Sequence, residues 1–134
     1  MNPIARIGLV VAYAVLALAA LGRSSYQIGT KFDQAPVPYT ISAISALLYL
    51  VIAVALVRRA SKVALVGTVI ELLGVLVVGT LGIVEPTWWP DETVWTGFGS
   101  AYGWVPLLLP ILALWALLRA GRVRAAQAQE AGTQ

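Results

Sequence analysis

Pro38-Tyr39-Thr40-Ile41-Ser42-Ala43-Ile44-Ser45-Ala46-Leu47-Leu48-Tyr49-Leu50-Val51-Ile52-Ala53-Val54-Ala55-Leu56-Val57 is a run of twenty residues without a charge, and it stops at Arg58-Arg59-Ala60-Ser61-Lys62. A helix rising about 1.5 Å per residue crosses the ~30 Å hydrocarbon core of a bilayer in about 20 residues, so this run is long enough to span one. A transmembrane strand would instead alternate apolar and polar side chains over about ten residues. Ala46 to Val54 shows no such alternation. A lone strand would also leave its backbone polar groups unpaired in lipid, so the run is read as a helix.

Three more apolar runs lie on either side. Val63 to Val84 is twenty-two residues with one charge, Glu71. Ile7 to Gly22 is shorter and bounded by Arg6 and Arg23, whose long side chains can snorkel to the two interfaces. The fourth run, from about Ser100 to Leu118, contains Pro106 and Pro110 behind a glycine-rich entry. The first run also carries features of a secretory signal: Arg6, an apolar stretch, and Ala17-Leu18-Ala19 as a small-residue cleavage site. A single basic residue before it and an apolar run continuing through Leu21 favour a retained helix. The expected fold class is all-α: a polytopic membrane protein with four transmembrane helices in residues 1–118 and a C-terminal tail over 119–134.

Composition agrees. Of 134 residues, 60% are apolar and 11% charged, against roughly 25% charged in an average soluble domain. A chain this small cannot cover a soluble surface with so few charges. It has no cysteine and no histidine. That removes disulfides, thiolate and imidazole metal ligands, cysteine nucleophiles and histidine-based triads. No metal or cofactor is therefore expected. An enzyme built from this chain would have to work through Glu71, a tyrosine, or Asp91 and Glu92, so a non-enzymatic role is the expectation.

The basic residues sit at the ends of the apolar runs and form no stripe for a nucleic acid, and no nucleic-acid partner is expected. With the N-terminus cytoplasmic, Arg6, Arg58, Arg59, Lys62, Arg119, Arg122 and Arg124 lie inside, and Arg23 and Lys31 outside. Seven against two is a clear positive-inside bias. It predicts a multi-pass protein of the cell inner (plasma) membrane with both termini cytoplasmic. It also speaks against a dual-topology dimer, which needs a nearly even count. The lipid bilayer is then the main partner, with a larger membrane protein or a second copy as further candidates. The tail reads as a frayed helical extension; its three arginines are fewer than the four to eight of a polybasic lipid site.

Two places draw attention as candidate sites. Glu71 is nine positions from Lys62, about 13 Å above the cytoplasmic boundary and near mid-membrane. Burial at that depth penalises an ionised carboxylate and calls for a specific partner. Tyr49 is nine positions from Arg58 and Tyr13 seven from Arg6, so Tyr13, Tyr49 and Glu71 form a candidate intramembrane polar layer. Ser42, Ser45 and Tyr49 share one helix face, and Gly67, Glu71 and Gly74 share another where helices can approach closely. The layer is read either as an interhelical hydrogen bond or as a proton or cation site.

The second place is the outer segment Glu85-Pro86-Thr87-Trp88-Trp89-Pro90-Asp91-Glu92-Thr93-Val94-Trp95. Trp88, Trp89, Asp91, Glu92 and Trp95 make a candidate aromatic and acidic patch. Pro90 followed by two acids reads as the start of a short extracytoplasmic interfacial helix. Its tryptophans are expected in an aromatic belt at the headgroup level, with a ligand-binding lid as the sharper alternative. Gly97, Gly99 and Gly103 then mark a bend or a re-entrant loop before the fourth helix. The polar stretch Arg23 to Asp33 is expected to carry the first helix on to about Gln27, end it at Gly29, and continue as a solvated loop.

The stretches Glu71-Leu72-Leu73-Gly74-Val75-Leu76, Gly79-Thr80-Leu81, Pro90-Asp91-Glu92-Thr93-Val94-Trp95-Thr96-Gly97-Phe98-Gly99 and Tyr102-Gly103-Trp104-Val105-Pro106-Leu107 together resemble small four-helix integral membrane proteins common in actinobacteria. That resemblance covers most of the chain. It implies a membrane protein with no assigned activity and transfers no catalytic residue. Small multidrug transporters share the four helices and a membrane-embedded acid, but theirs lies in the first helix and Glu71 lies in the third. DoxX-like proteins share the four-helix plan and a Gly…Lys pattern, here Gly29 and Lys31, and the similarity ends there. The leading expectation is a non-enzymatic accessory or structural membrane component. The alternative is a small transporter or channel using Glu71 for proton or cation coupling.

Overall fold

The structure, a computed structural model, describes residues 2–34, 36–85, 87, 93 and 95–133. The regular structure among the described residues is helical, with no strand. Helix α1 spans Pro3–Lys31, α2 Pro36–Val57, α3 Ser61–Val84 and α4 Val105–Thr133. A 3-10 turn over Phe32–Gln34 joins α1 to α2, and a 3-10 segment over Thr96–Tyr102 precedes α4. All four α-helices are long and apolar enough to cross a membrane. Large apolar side chains face outward on each of them: Leu18 is 73% exposed, Val66 58% and Leu112 58%. An all-round apolar exterior is what a lipid solvent requires.

Helix α1 is longer than expected. It begins at Pro3, where proline suits the first turn and Asn2 Oδ1 accepts from the Ile4 amide at 2.8 Å. It passes Arg23 and Gly29 without a break. Ser24 and Gln27, read from the sequence as near-terminal, are buried together with Tyr13, Ala17 and Ala20. These five residues recur at helical spacing on one face, which packs along α2. On α2 the facing stripe is Ser42, Ser45, Ala46 and Tyr49, all fully buried. Small side chains on both sides let the two backbones approach closely. Ser45 is satisfied within its own helix, donating to the Ser42 carbonyl at 2.7 Å.

Helix α3 packs on α2 and α4 on α3, and α1 meets α4 only lightly. The turn between α2 and α3 closes α2 with a Schellman motif: the Ala60 amide donates to the Ala55 carbonyl at 2.8 Å and the Arg59 amide to the Leu56 carbonyl at 3.4 Å. Arg59 takes the left-handed position at φ 57° where glycine is usual. The start of α1, this turn and the later part of α4 meet at one end of the bundle. Arg6 Nη1 donates to the Leu56 carbonyl at 2.7 Å, and Arg124 Nη1 to Ser61 Oγ at 3.4 Å. Residues 119–133 continue α4 as regular helix. Pro110 lies inside α4 without ending it.

Candidate functional site

Tyr13 comes from α1, Tyr49 from α2 and Glu71 from α3, and all three are fully buried. The Tyr13 hydroxyl donates to Glu71 Oε2 at 3.1 Å. The Tyr13 and Tyr49 rings lie 6.1 Å apart between centroids, tilted by 46°, within the usual range for an aromatic pair. Three helices thus bring one polar core side chain each together in the bundle interior. The remaining carboxylate oxygen, Glu71 Oε1, has no hydrogen-bond partner among the described residues. No lysine or arginine faces Glu71 there either; its hydrogen-bonding neighbour is Tyr13.

Two members of this layer escape a reading of the sequence. Thr68, one turn before Glu71, is fully buried beside Tyr13 and donates to the Ala64 carbonyl at 2.6 Å. The i, i+3 spacing to Glu71 was the available signal. Trp95 is the larger surprise. It was expected in an outer aromatic belt, yet it is only 4% exposed. Its indole Nε1 donates to the Tyr49 hydroxyl at 2.7 Å. An indole buried in apolar surroundings needs such an acceptor, and the tyrosine supplies it. The ring lies on Gly74, where a Cβ would come within 2.6 Å of Trp95 Cζ3. Gly74 therefore makes room for an aromatic side chain from the outer segment.

That segment is held locally by threonines. Thr93 Oγ1 accepts from the Trp95 amide at 3.0 Å and the Thr96 amide at 3.1 Å, and Thr96 Oγ1 accepts from the Thr93 amide at 2.8 Å. This is the short-range hydroxyl-to-backbone bonding that threonine offers at turns and caps. Next, Gly97, Phe98 and Gly99 all take left-handed backbone angles, with φ of 61°, 59° and 84°. The turn drives the Phe98 ring against Gly79, where any side chain would collide with it. It also brings Gly99 against Pro106, with 2.8 Å left to a Cβ. The glycine-rich bend thus folds back into the bundle between α3 and α4.

Of the outer aromatic and acidic patch, Trp88, Trp89, Asp91 and Glu92 lie outside the described residues, as does the short helix expected from Pro90. Trp95 alone is placed, and it belongs to the interior layer. No family model, curated protein or solved structure matches the chain.

Proposed function

We propose that this chain is a multi-pass protein of the cell inner membrane with cytoplasmic termini, acting without enzymatic activity as an accessory or structural membrane component. The observation that carries this reading is the sealed polar layer. Glu71, the sharpest chemical group in the chain, is fully buried and bonded to Tyr13. Tyr49 in turn is locked by Trp95. Hydrogen bonds spent in this way fix helix positions rather than meet a substrate. The apolar exterior offers helix faces to lipid, to a larger membrane protein or to a second copy. Purification in mild detergent with mass spectrometry of the co-eluting chains tests the reading. A stoichiometric membrane-protein partner, or a defined homo-oligomer, is expected; a monomer with Glu71-dependent transport would overturn it.

One observation favours a second reading. Glu71 Oε1 is buried without a partner, and a buried acceptor left unpaired is costly unless something visits it. Under this reading Glu71 takes up and releases a proton or cation in a small transporter or channel. Proton-coupled flux into liposomes that is lost in Glu71→Gln would establish it, because an amide cannot exchange a proton at physiological pH.

A further inference from the structure

The light contact between α1 and α4 leaves a groove of about 580 Å³ at the basic end of the bundle. One wall is the start of α1, with Asn2 and Ala5; the other is α4, from Trp115 through Arg119 to Arg124. Arg119 and Arg124 both line the groove, and Trp115, Ala116, Ala120 and Val123 supply its apolar surface. Seven basic residues collect at this end, Arg6, Arg58, Arg59, Lys62, Arg119, Arg122 and Arg124, against one acid, Glu130. Counted along the sequence, the tail's three arginines fall short of a polybasic site. The fold joins them to Arg6 and the α2–α3 turn, because Arg124 reaches Ser61 and Arg6 reaches Leu56. Arg59 and Arg124 both stand close enough to Arg6 to repel its charge. Like charges gathered at a helix junction are relieved by a shared anion.

Arg119 says how deep that anion sits. The Arg124–Ser61 bond sets Arg124 level with the turn. Arg119 lies five residues further in, about 7 Å. Its guanidinium is folded back over the Trp115 ring, 5.2 Å from Cζ to the centroid, and Trp115 is 60% exposed on the lipid-facing side. A cation turned inward along a lipid-facing groove is poorly hydrated and favours an anionic headgroup drawn down to it. Trp115 and Ala116 beside it offer an apolar seat for the upper acyl chain.

We infer that the groove between α1 and α4 binds the phosphate headgroup of an anionic phospholipid of the inner leaflet, clamped by Arg119 and Arg124. The inference rests on the membrane reading above. The test is native mass spectrometry of the protein in mild detergent, titrated with phosphatidylglycerol or phosphatidylcholine, with inorganic phosphate as competitor. One phosphatidylglycerol should be retained at least about tenfold more tightly than phosphatidylcholine, as about two favourable arginine contacts imply. Inorganic phosphate at the same concentration should leave it in place. Arg119→Gln with Arg124→Gln should abolish the preference, Arg119→Lys with Arg124→Lys should keep most of it, and Arg23→Gln at the opposite end should change nothing. If the double variant does not fold, Arg119→Gln alone, which loses only a ring contact, should reduce the preference severalfold. Equal retention of both lipids, displacement by inorganic phosphate, or a preference that survives loss of the arginines would overturn the site while leaving the membrane reading intact. A chain that partitions to the aqueous phase and retains neither lipid would overturn the membrane reading itself.

Discussion

The Tyr13 hydroxyl and Glu71 Oε2 meet at 3.1 Å across 58 positions of sequence, joining α1 to α3 in the bundle interior. The bond is buried but its energy is modest, since interhelical hydrogen bonds in membranes average about 0.6 kcal/mol. Tyr13→Phe and Glu71→Gln are therefore expected to fold and express normally. Each should lower the melting temperature in mild detergent by no more than a few degrees. Unfolding on either substitution would mean that the layer carries an interaction stronger than this hydrogen bond.

Gly74 and Trp95 are a tighter constraint. A methyl group at position 74 would lie 2.6 Å from Cζ3 and 2.8 Å from Cη2 of the indole, and the ring is fixed at its far edge by Tyr49. It cannot retreat without giving up that bond. Gly74→Ala should cost about 1–3 kcal/mol, the usual range for overpacking a core. Trp95→Ala, which empties the seat, should cost about 3–5 kcal/mol. Gly82→Ala, at a position with open space around it, should be neutral or slightly stabilising. Thermal unfolding of the three variants side by side checks the order.

These contrasts show what the sequence could and could not carry. Helices α2 and α3 were legible to within a residue or two, because the basic turn from Arg58 to Lys62 parts two long apolar runs and leaves no other boundary between them. The end of α1 was not, for a reason of packing. Ser24 and Gln27 are polar, but they bury against α2 and carry the helix onward. Gly29 has nothing around it to stop for, and one glycine costs only about 1 kcal/mol in a helix. The heights of Tyr13, Tyr49 and Glu71 followed from counting residues at 1.5 Å each. Trp95 did not, since nothing local distinguishes a tryptophan at the headgroups from one turned inward over a glycine twenty-one positions earlier.

Topology is decided by the distribution of charge. The end of the bundle with Arg6, the Arg58–Lys62 turn and the later arginines is expected on the cytoplasmic side. A C-terminal alkaline-phosphatase fusion should be inactive and a C-terminal fluorescent fusion bright. The reverse pattern would invert the orientation and move the lipid groove to the outer leaflet.

Arg59 closes α2 in a left-handed conformation, φ 57°, that glycine adopts without strain. Arg59→Gly should stabilise the chain by about 1 kcal/mol, as relief of a left-handed L-residue implies. Six of the seven inner basic residues would remain, so orientation should be unchanged. A loss of stability instead would show that the Arg59 side chain contributes more than its backbone costs.

Phe98 sets two effects against each other at one residue. Its backbone is left-handed at φ 59°, which costs a non-glycine residue about 1–2 kcal/mol. Its ring, however, fills the space over Gly79, and removing a packed phenylalanine costs about 3–5 kcal/mol in a full core. Phe98 is only partly buried, so the loss should fall toward the lower end of that range and still exceed the strain. Both Phe98→Ala and Phe98→Gly should therefore destabilise. Alanine loses the ring and keeps the left-handed strain, whereas glycine loses the ring and the strain together. Phe98→Gly should thus be about 1 kcal/mol more stable than Phe98→Ala, the reverse of their usual order in a helix. Melting curves of the two variants in the same detergent decide it. An alanine variant at least as stable as the glycine variant would show that this turn does not hold Phe98 in a left-handed conformation.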